Sequence, residues 1–158
     1  MSYNEEQLGS SFRDPAGFVF FREGQLLRQI NKSYQKHYDM LMTSGLYEKL
    51  QNQQAIIAHQ EVSNSSDSTA YKTIAPKKLP FISYPYEWCF GQLKDAALLT
   101  LEIQKTALEH DMTLKDASAY NIQFDQGKPI LIDTLSFEIY SENQPWQAYR
   151  QFCQHFLA

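Results

Sequence analysis

The sequence predicts an α+β fold, and three observations predict it. Two short apolar runs, Gly17-Phe-Val-Phe-Phe21 and Leu26-Leu-Arg-Gln-Ile30, flank a tight Glu-Gly turn. A long stretch from residue 87 to about 110 carries apolar residues at helical spacing. A second hairpin pattern follows, with runs at 121–124 and 129–133 around Gln126-Gly127. With 158 residues, 43% hydrophobic and 20% charged, the chain can bury a core of one domain or slightly more.

Residues 1–11 are polar and expected to be flexible. The first hairpin is read as structural, because its turn is too tight and too poor in glycine to cradle phosphates. A helix is expected from about 33 to 41, where Tyr34, His37, Tyr38 and Leu41 recur at three- and four-residue spacing. Gly45 ends it, and residues 46–53 form a second, shorter helix. Residues 55–58 read as a brief strand, and the serine-rich run 63–69 as an exposed loop.

Two prolines keep the aromatic run 79–88 out of a helix and favour an extended edge segment or a connector. In the long helix, Leu93, Ala96, Ala97, Leu99, Leu101, Ile103 and Leu108 span a broad face, so it is expected to be largely buried. Residues 112–120 read as a loop. A last helix is expected from Trp146, with Tyr149, Phe152, Cys153 and Phe156 on one side.

The formal net charge of -4 comes with no basic run, which argues against a nucleic-acid partner. No secretory signal opens the chain, and nowhere do the roughly 18 uninterrupted apolar residues of a membrane span occur. Cys89 and Cys153 lack metal-type spacing and read as buried free thiols, which suits a cytoplasmic location. His155 beside Cys153 lacks the further ligands of a closed metal site.

The chemistry-bearing pattern lies between Asp116 and Asp133. Phosphotransferases of the kinase type need a carboxylate at the acceptor hydroxyl, with an Asn and an Asp holding magnesium against the phosphates. In those folds a long helix leads to a D-x-x-x-x-N loop, and a hairpin then returns a second Asp beside the Asn. Here the order is a long helix, Asp116-Ala-Ser-Ala-Tyr-Asn121, a hairpin, and Ile130-Leu-Ile-Asp133. The pattern implies a truncated or divergent protein-kinase-like fold. A small N-terminal hairpin and helix part would precede a larger helical part, with residues 12–158 as a single kinase-like domain. Asp116 is the candidate catalytic base, and Asn121 and Asp133 are the candidate metal ligands. The same three residues could instead cap loop turns, with Asp133 capping residues 134–137.

Other kinase signals are missing. Thr113-Leu-Lys precedes Asp116 in place of the usual His-Arg, and Thr-Leu-Ser follows Asp133 in place of Phe-Gly. No glycine-rich loop precedes a second strand. The phosphate-pairing lysine has only weak candidates in Arg28, Lys32 and Lys72. Tyr84, Tyr86 and Trp88 could hold a planar ligand or simply pack.

Five longer strings carry a family resemblance: residues 12–20, 83–88, 114–121, 131–138 and 149–156. They resemble the N-terminal region of bacterial proteins known as class I SAM-dependent methyltransferases. The resemblance implies a methyltransferase domain further along a longer parent chain, and that domain would be this chain's partner. A SAM site needs a strand followed by a glycine-rich turn, and no such turn occurs in these 158 residues. S-adenosylmethionine is therefore expected only in that further domain. The present chain is expected to be an accessory or recognition domain without methyl transfer of its own. Magnesium and ATP are cofactors only under the alternative, a divergent phosphotransferase with Asp116 as base.

Overall fold

The computed structural model describes residues 6–7, 14–63 and 67–158. Residue contacts divide the chain into two compact units. Unit 1 comprises Met1–Tyr38 with Ala58–Lys78, and unit 2 comprises Asp39–Ile57 with Leu79–Ala158.

Unit 1 is built on a five-stranded antiparallel sheet. Its strands are β1 (Glu6–Gln7), β2 (Gly17–Arg22), β3 (Gln25–Asn31), β4 (His59–Val62) and β5 (Ala70–Pro76), in the order β1-β2-β3-β5-β4. The expected first hairpin forms in register, with Phe20 opposite Leu27 and Arg22 opposite Gln25. Its turn has φ of 52° at Glu23 and 77° at Gly24. Two successive left-handed residues match the right-handed twist of the flanking strands. Phe20, Leu27, Ile30 and Ile74 supply the buried face.

Strands β4 and β5 were not expected from the sequence. Residues 55–58, read as a strand, instead make an isolated parallel bridge from Ile56 to Leu131. Of the N-terminal residues expected to be flexible, Glu6 and Gln7 pair with Phe21 and Phe20, and the rest of 1–13 lies outside the described residues. The same holds for residues 64–66 of the expected serine-rich loop.

Helix α1 (Gln35–Thr43), entered through a 3-10 turn at Lys32–Tyr34, begins in unit 1 and ends in unit 2. Gly45, at φ 81°, separates α1 from α2 (Leu46–Asn52), in the left-handed conformation that glycine adopts without steric cost.

Unit 2 is helical around two small strand pairs. Helix α3 (Phe90–Leu108) starts later than the sequence suggests. Glu87 accepts a bond from Tyr84 N (2.7 Å) across a separate 3-10 turn, and Gln92 accepts one from Cys89 N (3.1 Å) to open the helix proper. Then come β6 (Met112–Leu114), β7 (Ile122–Asp125), β8 (Lys128–Leu131), β9 (Phe137–Ile139) and α4 (Tyr149–Phe156). Strands β7 and β8 form the expected second hairpin, turning at Gln126 (φ 52°) and Gly127 (φ 79°). The β6–β9 pairing corrects the loop expected at 112–120.

The long helix is less buried than its composition implies. Its inner stripe is Ala96, Thr100, Ile103, Gln104 and Ala107, while Leu98, Leu101 and Leu108 are exposed. Two polar side chains lie in the stripe because they have partners there: Thr100 bonds to Ala96 O, and Gln104 bonds to β6. The core of this unit gathers Leu41, Leu46, Leu50, Ile103, Met112, Phe137 and Phe152. Cys89 is exposed and Cys153 half-buried, which corrects the expectation of two buried thiols.

Candidate functional site

The sequence pattern from Asp116 to Asp133 lies wholly within unit 2. Strand β6 delivers the chain into the loop, and the Lys115 N to Ser136 O bond (2.8 Å) extends its pairing by one residue. Asp116 then closes a tight turn, with Oδ1 accepting from Ser118 N at 3.0 Å. Ser118 repeats the device, its Oγ accepting from Tyr120 N at 3.2 Å. This Asx-then-Ser sequence of caps winds the chain through a short 3-10 turn, Ala119–Asn121, into β7.

The β7–β8 hairpin returns the chain to the loop. Ile132 N donates to Asn121 O at 2.8 Å, so Asn121 lies opposite the residue that precedes Asp133. Asn121 Nδ2 donates to Ser136 Oγ at 3.2 Å. Ser136 N in turn bonds to Asp133 O at 3.3 Å, and Asp133 Oδ1 accepts from Leu135 N at 2.9 Å. Asn121 and Asp133 thus both bond to buried Ser136, Asn121 by its side chain and Asp133 by its backbone carbonyl. Asp116 and Asp133 also do what turn-capping residues do, each accepting a backbone N–H two residues on.

Asn121 Nδ2 is bonded to Ser136, and the atoms these residues would offer magnesium are the Asn121 carbonyl oxygen and the Asp133 carboxylate. Two oxygen-bearing side chains suit an ion that is held jointly by protein, water and phosphate. Among the described residues no group of three or more His, Cys, Asp or Glu forms a self-sufficient metal cage.

The rigid support of the loop comes from residues the sequence reading passed over. Gln104 Oε1 accepts from Leu114 N at 2.8 Å, and Trp146 Nε1 donates to Leu114 O at 2.8 Å. Gln151 Oε1 accepts from Ala117 N at 2.8 Å, and His155 Nδ1 accepts from Ala119 N at 3.2 Å. His155 is therefore a loop anchor. A sequence signal did exist, because Gln151 and His155 stand one helical turn apart on α4.

The aromatic connector divides into two roles. Trp88 packs edge-on against Phe124, with ring centroids 5.2 Å apart, and bonds to Ser83 Oγ. Gln123 clamps the connector by bonding to both Ser83 N and Ser83 O. Tyr84 and Tyr86 stack on one another at 5.5 Å and remain exposed. A separate open groove of about 680 Å³ runs along the outer side of α3, lined by Gln54, Leu98, Leu101, Glu102, Lys105 and Pro129 among others. Asp116, Asn121 and Asp133 do not line it.

The three candidate phosphate-pairing cations all belong to unit 1. Lys72 Nζ lies 2.6 Å from Glu61 and over the rings of Tyr38 and Tyr71 at 5.5 and 5.6 Å. Tyr38 OH also donates to Glu61 Oε1 (3.2 Å) and lies 3.0 Å from His59 Nε2. Burial lowers the His59 pKa to about 4, with Glu61 opposing the shift and Lys72 adding to it. Arg28 is 3.7 Å from Asp14, and Lys32 is exposed.

No family model matches the chain. Over 155 residues it is 33% identical to the nodulation protein NoeA of Rhizobium meliloti (strain 1021). The match covers 96% of this chain but only 32% of the length of that relative. Among solved structures, vaccinia related kinase 3 superposes with a TM-score of 0.49 at 13% identity, covering 89% of this chain and 48% of the other. No helix among the described residues is long and apolar enough to cross a membrane.

Proposed function

We propose that this chain is a kinase-like accessory or recognition domain of a longer bacterial protein, without phosphoryl or methyl transfer of its own. The observation that carries the kinase-like part is the meeting of Asn121 and Asp133 at Ser136, one short hairpin after the Asp116 turn. The order and the return of the chain are those a metal-binding Asn and Asp require. The length of the NoeA relative supports the longer parent. The methyltransferase domain inferred from the sequence resemblance would be its neighbour in that parent.

The lack of turnover rests on the missing phosphate cover. A transferring phosphoryl group needs donors and a cation held against its oxygens, and no glycine-rich loop precedes a second strand in this sequence. The second reading, a divergent phosphotransferase, draws on the same Asn121–Asp133 convergence. In it Asp116 accepts the proton of an acceptor hydroxyl, and magnesium bound at Asn121 and Asp133 would neutralise phosphate charge.

Phosphate release from ATP and magnesium by the purified chain separates the two. The accessory reading expects no release above background, with Asp116→Asn indistinguishable from the parent. Release that Asp116→Asn and Asp133→Asn both abolish would replace it with the enzyme reading. S-adenosylmethionine binding to these 158 residues, followed by calorimetry, would contradict the assignment of that cofactor to a further domain.

A further inference from the structure

We infer that His155 is a positioning residue that latches the 116–121 loop through an unprotonated Nδ1, and that a second proton on its imidazole releases the loop. Three side chains from α4 and its approach reach three backbone groups of one short stretch. Trp146 donates to Leu114 O, Gln151 accepts from Ala117 N, and His155 accepts from Ala119 N. Only the last of the three can change its hydrogen-bonding character with pH.

The proton inventory follows from the partner. A backbone amide can only donate, so Nδ1 must present its lone pair to Ala119 N and the ring proton must sit on Nε2. Ser118 Oγ lies 3.5 Å from the same nitrogen, and the Tyr120 ring stands edge-on to the imidazole at 6.0 Å. The imidazolium carries N–H on both nitrogens. It would set a donor against a donor and leave the amide of buried Ala119 without its acceptor.

The disturbance would not stop at Ala119. Ser118 N is held by Asp116 Oδ1, and Asn121 N donates to Ser118 O at 3.1 Å. A shift at 118–119 therefore moves both the Asp116 carboxylate and the entry to Asn121. The titratable group that the loop sets against the imidazole is Tyr120, edge-on at 6.0 Å, and Cys153 precedes His155 by two residues on α4. The latch itself depends only on this geometry. Its meaning for ligand binding rests on the kinase-like reading above.

Nuclear magnetic resonance on the nitrogen-labelled chain tests it. The ring nitrogens should report the Nε2–H tautomer. As His155 protonates, Ala119 amide exchange, corrected for its intrinsic pH dependence, should accelerate about tenfold, as loss of one hydrogen bond implies. Exchange at Leu131, whose N–H bonds to Ala55 O outside the loop, should hold. His155→Asn, whose carbonyl can take the place of Nδ1, should keep Ala119 protected at every pH. His155→Phe should leave it unprotected at every pH. An Nδ1–H tautomer, or Ala119 protection that ignores the titration of His155, would overturn the latch. So would a cooperatively folded His155→Asn chain that has lost the protection. If His155→Phe does not fold, the tautomer and the parent exchange profile still decide. Phosphate release dependent on Asp116 would overturn the accessory reading alone, because the Ala119 measurement contains no substrate.

Discussion

Gln104 and Thr113 bond to each other in both directions: Gln104 Nε2 donates to Thr113 Oγ1 at 2.9 Å, and that hydroxyl faces Gln104 Oε1 at 3.2 Å. The same Oε1 takes Leu114 N, so one buried amide serves two successive residues of the strand that leads to Asp116.

Gln104→Leu should therefore cost more than its conservative volume suggests. It strands a buried amide and a buried hydroxyl, each of which loses its acceptor or donor. The expected loss is about 2–3 kcal/mol. Urea unfolding should show a lower midpoint at an unchanged slope.

His59 gives unit 1 a pH dependence of known sign. Its pKa falls from 6.5 to about 4 on folding, chiefly through burial. Between those values the unfolded chain holds a proton that the folded chain does not, so stability is full above 6.5 and declines as pH drops toward 4. The imidazole is partly open to solvent, so the loss is at most about 2–3 kcal/mol. Unfolding free energies measured across that window should fall less steeply in His59→Gln than in the parent. Parallel slopes would assign the decline to carboxylates elsewhere.

Turn chemistry supplies a paired test in the β7–β8 hairpin. Gly127 sits at φ 79° with open space where a Cβ would go, so Gly127→Ala meets no clash but does meet left-handed strain. That strain costs about 1–2 kcal/mol. Gln126, at φ 52°, already carries such strain, and Gln126→Asn should recover roughly 0.5 kcal/mol by creating the Asn-Gly pair this turn type favours. Thermal melts of the two variants should move in opposite directions.

Leu101 separates the burial expected from the sequence from that in the structure. A buried leucine replaced by lysine would unfold the unit. At 42% exposure, Leu101→Lys should stay within about 0.5 kcal/mol of the parent. Circular dichroism melts decide between the two.

What was legible in the sequence were the features that local rules dictate. Glu23-Gly24 and Gln126-Gly127 announced both hairpins, and Gly45 marked the break between α1 and α2. The pattern from Asp116 to Asp133 was legible as order and spacing. The three-residue strands β6 and β9 were not, because Met112–Leu114 is too short for an alternation and its partner lies beyond a hairpin. Strand β5 was hidden behind a serine-rich run. The broad apolar face of α3 misled for another reason: leucines were counted, whereas the buried stripe also holds Thr100, bonded back to Ala96 O, and Gln104, whose partners on β6 no window on the helix reveals. His155 and Gln151 were missed likewise: their one-turn spacing on α4 marks a shared face but does not name the distant backbone they satisfy.

The chain order of the two units has a consequence for synthesis. All the strands of unit 1 have been made once the ribosome has passed Lys78, with 39–57 looped out between them. Helix α2 and the Ile56 bridge must wait, because α3 and Leu131 are translated later. Leu46 and Leu50 of α2 thus stay uncovered until those later partners have been made. Nascent-chain arrest between residues 79 and 130 should expose Leu46 and Leu50 to trigger-type chaperones, an exposure that full-length release ends.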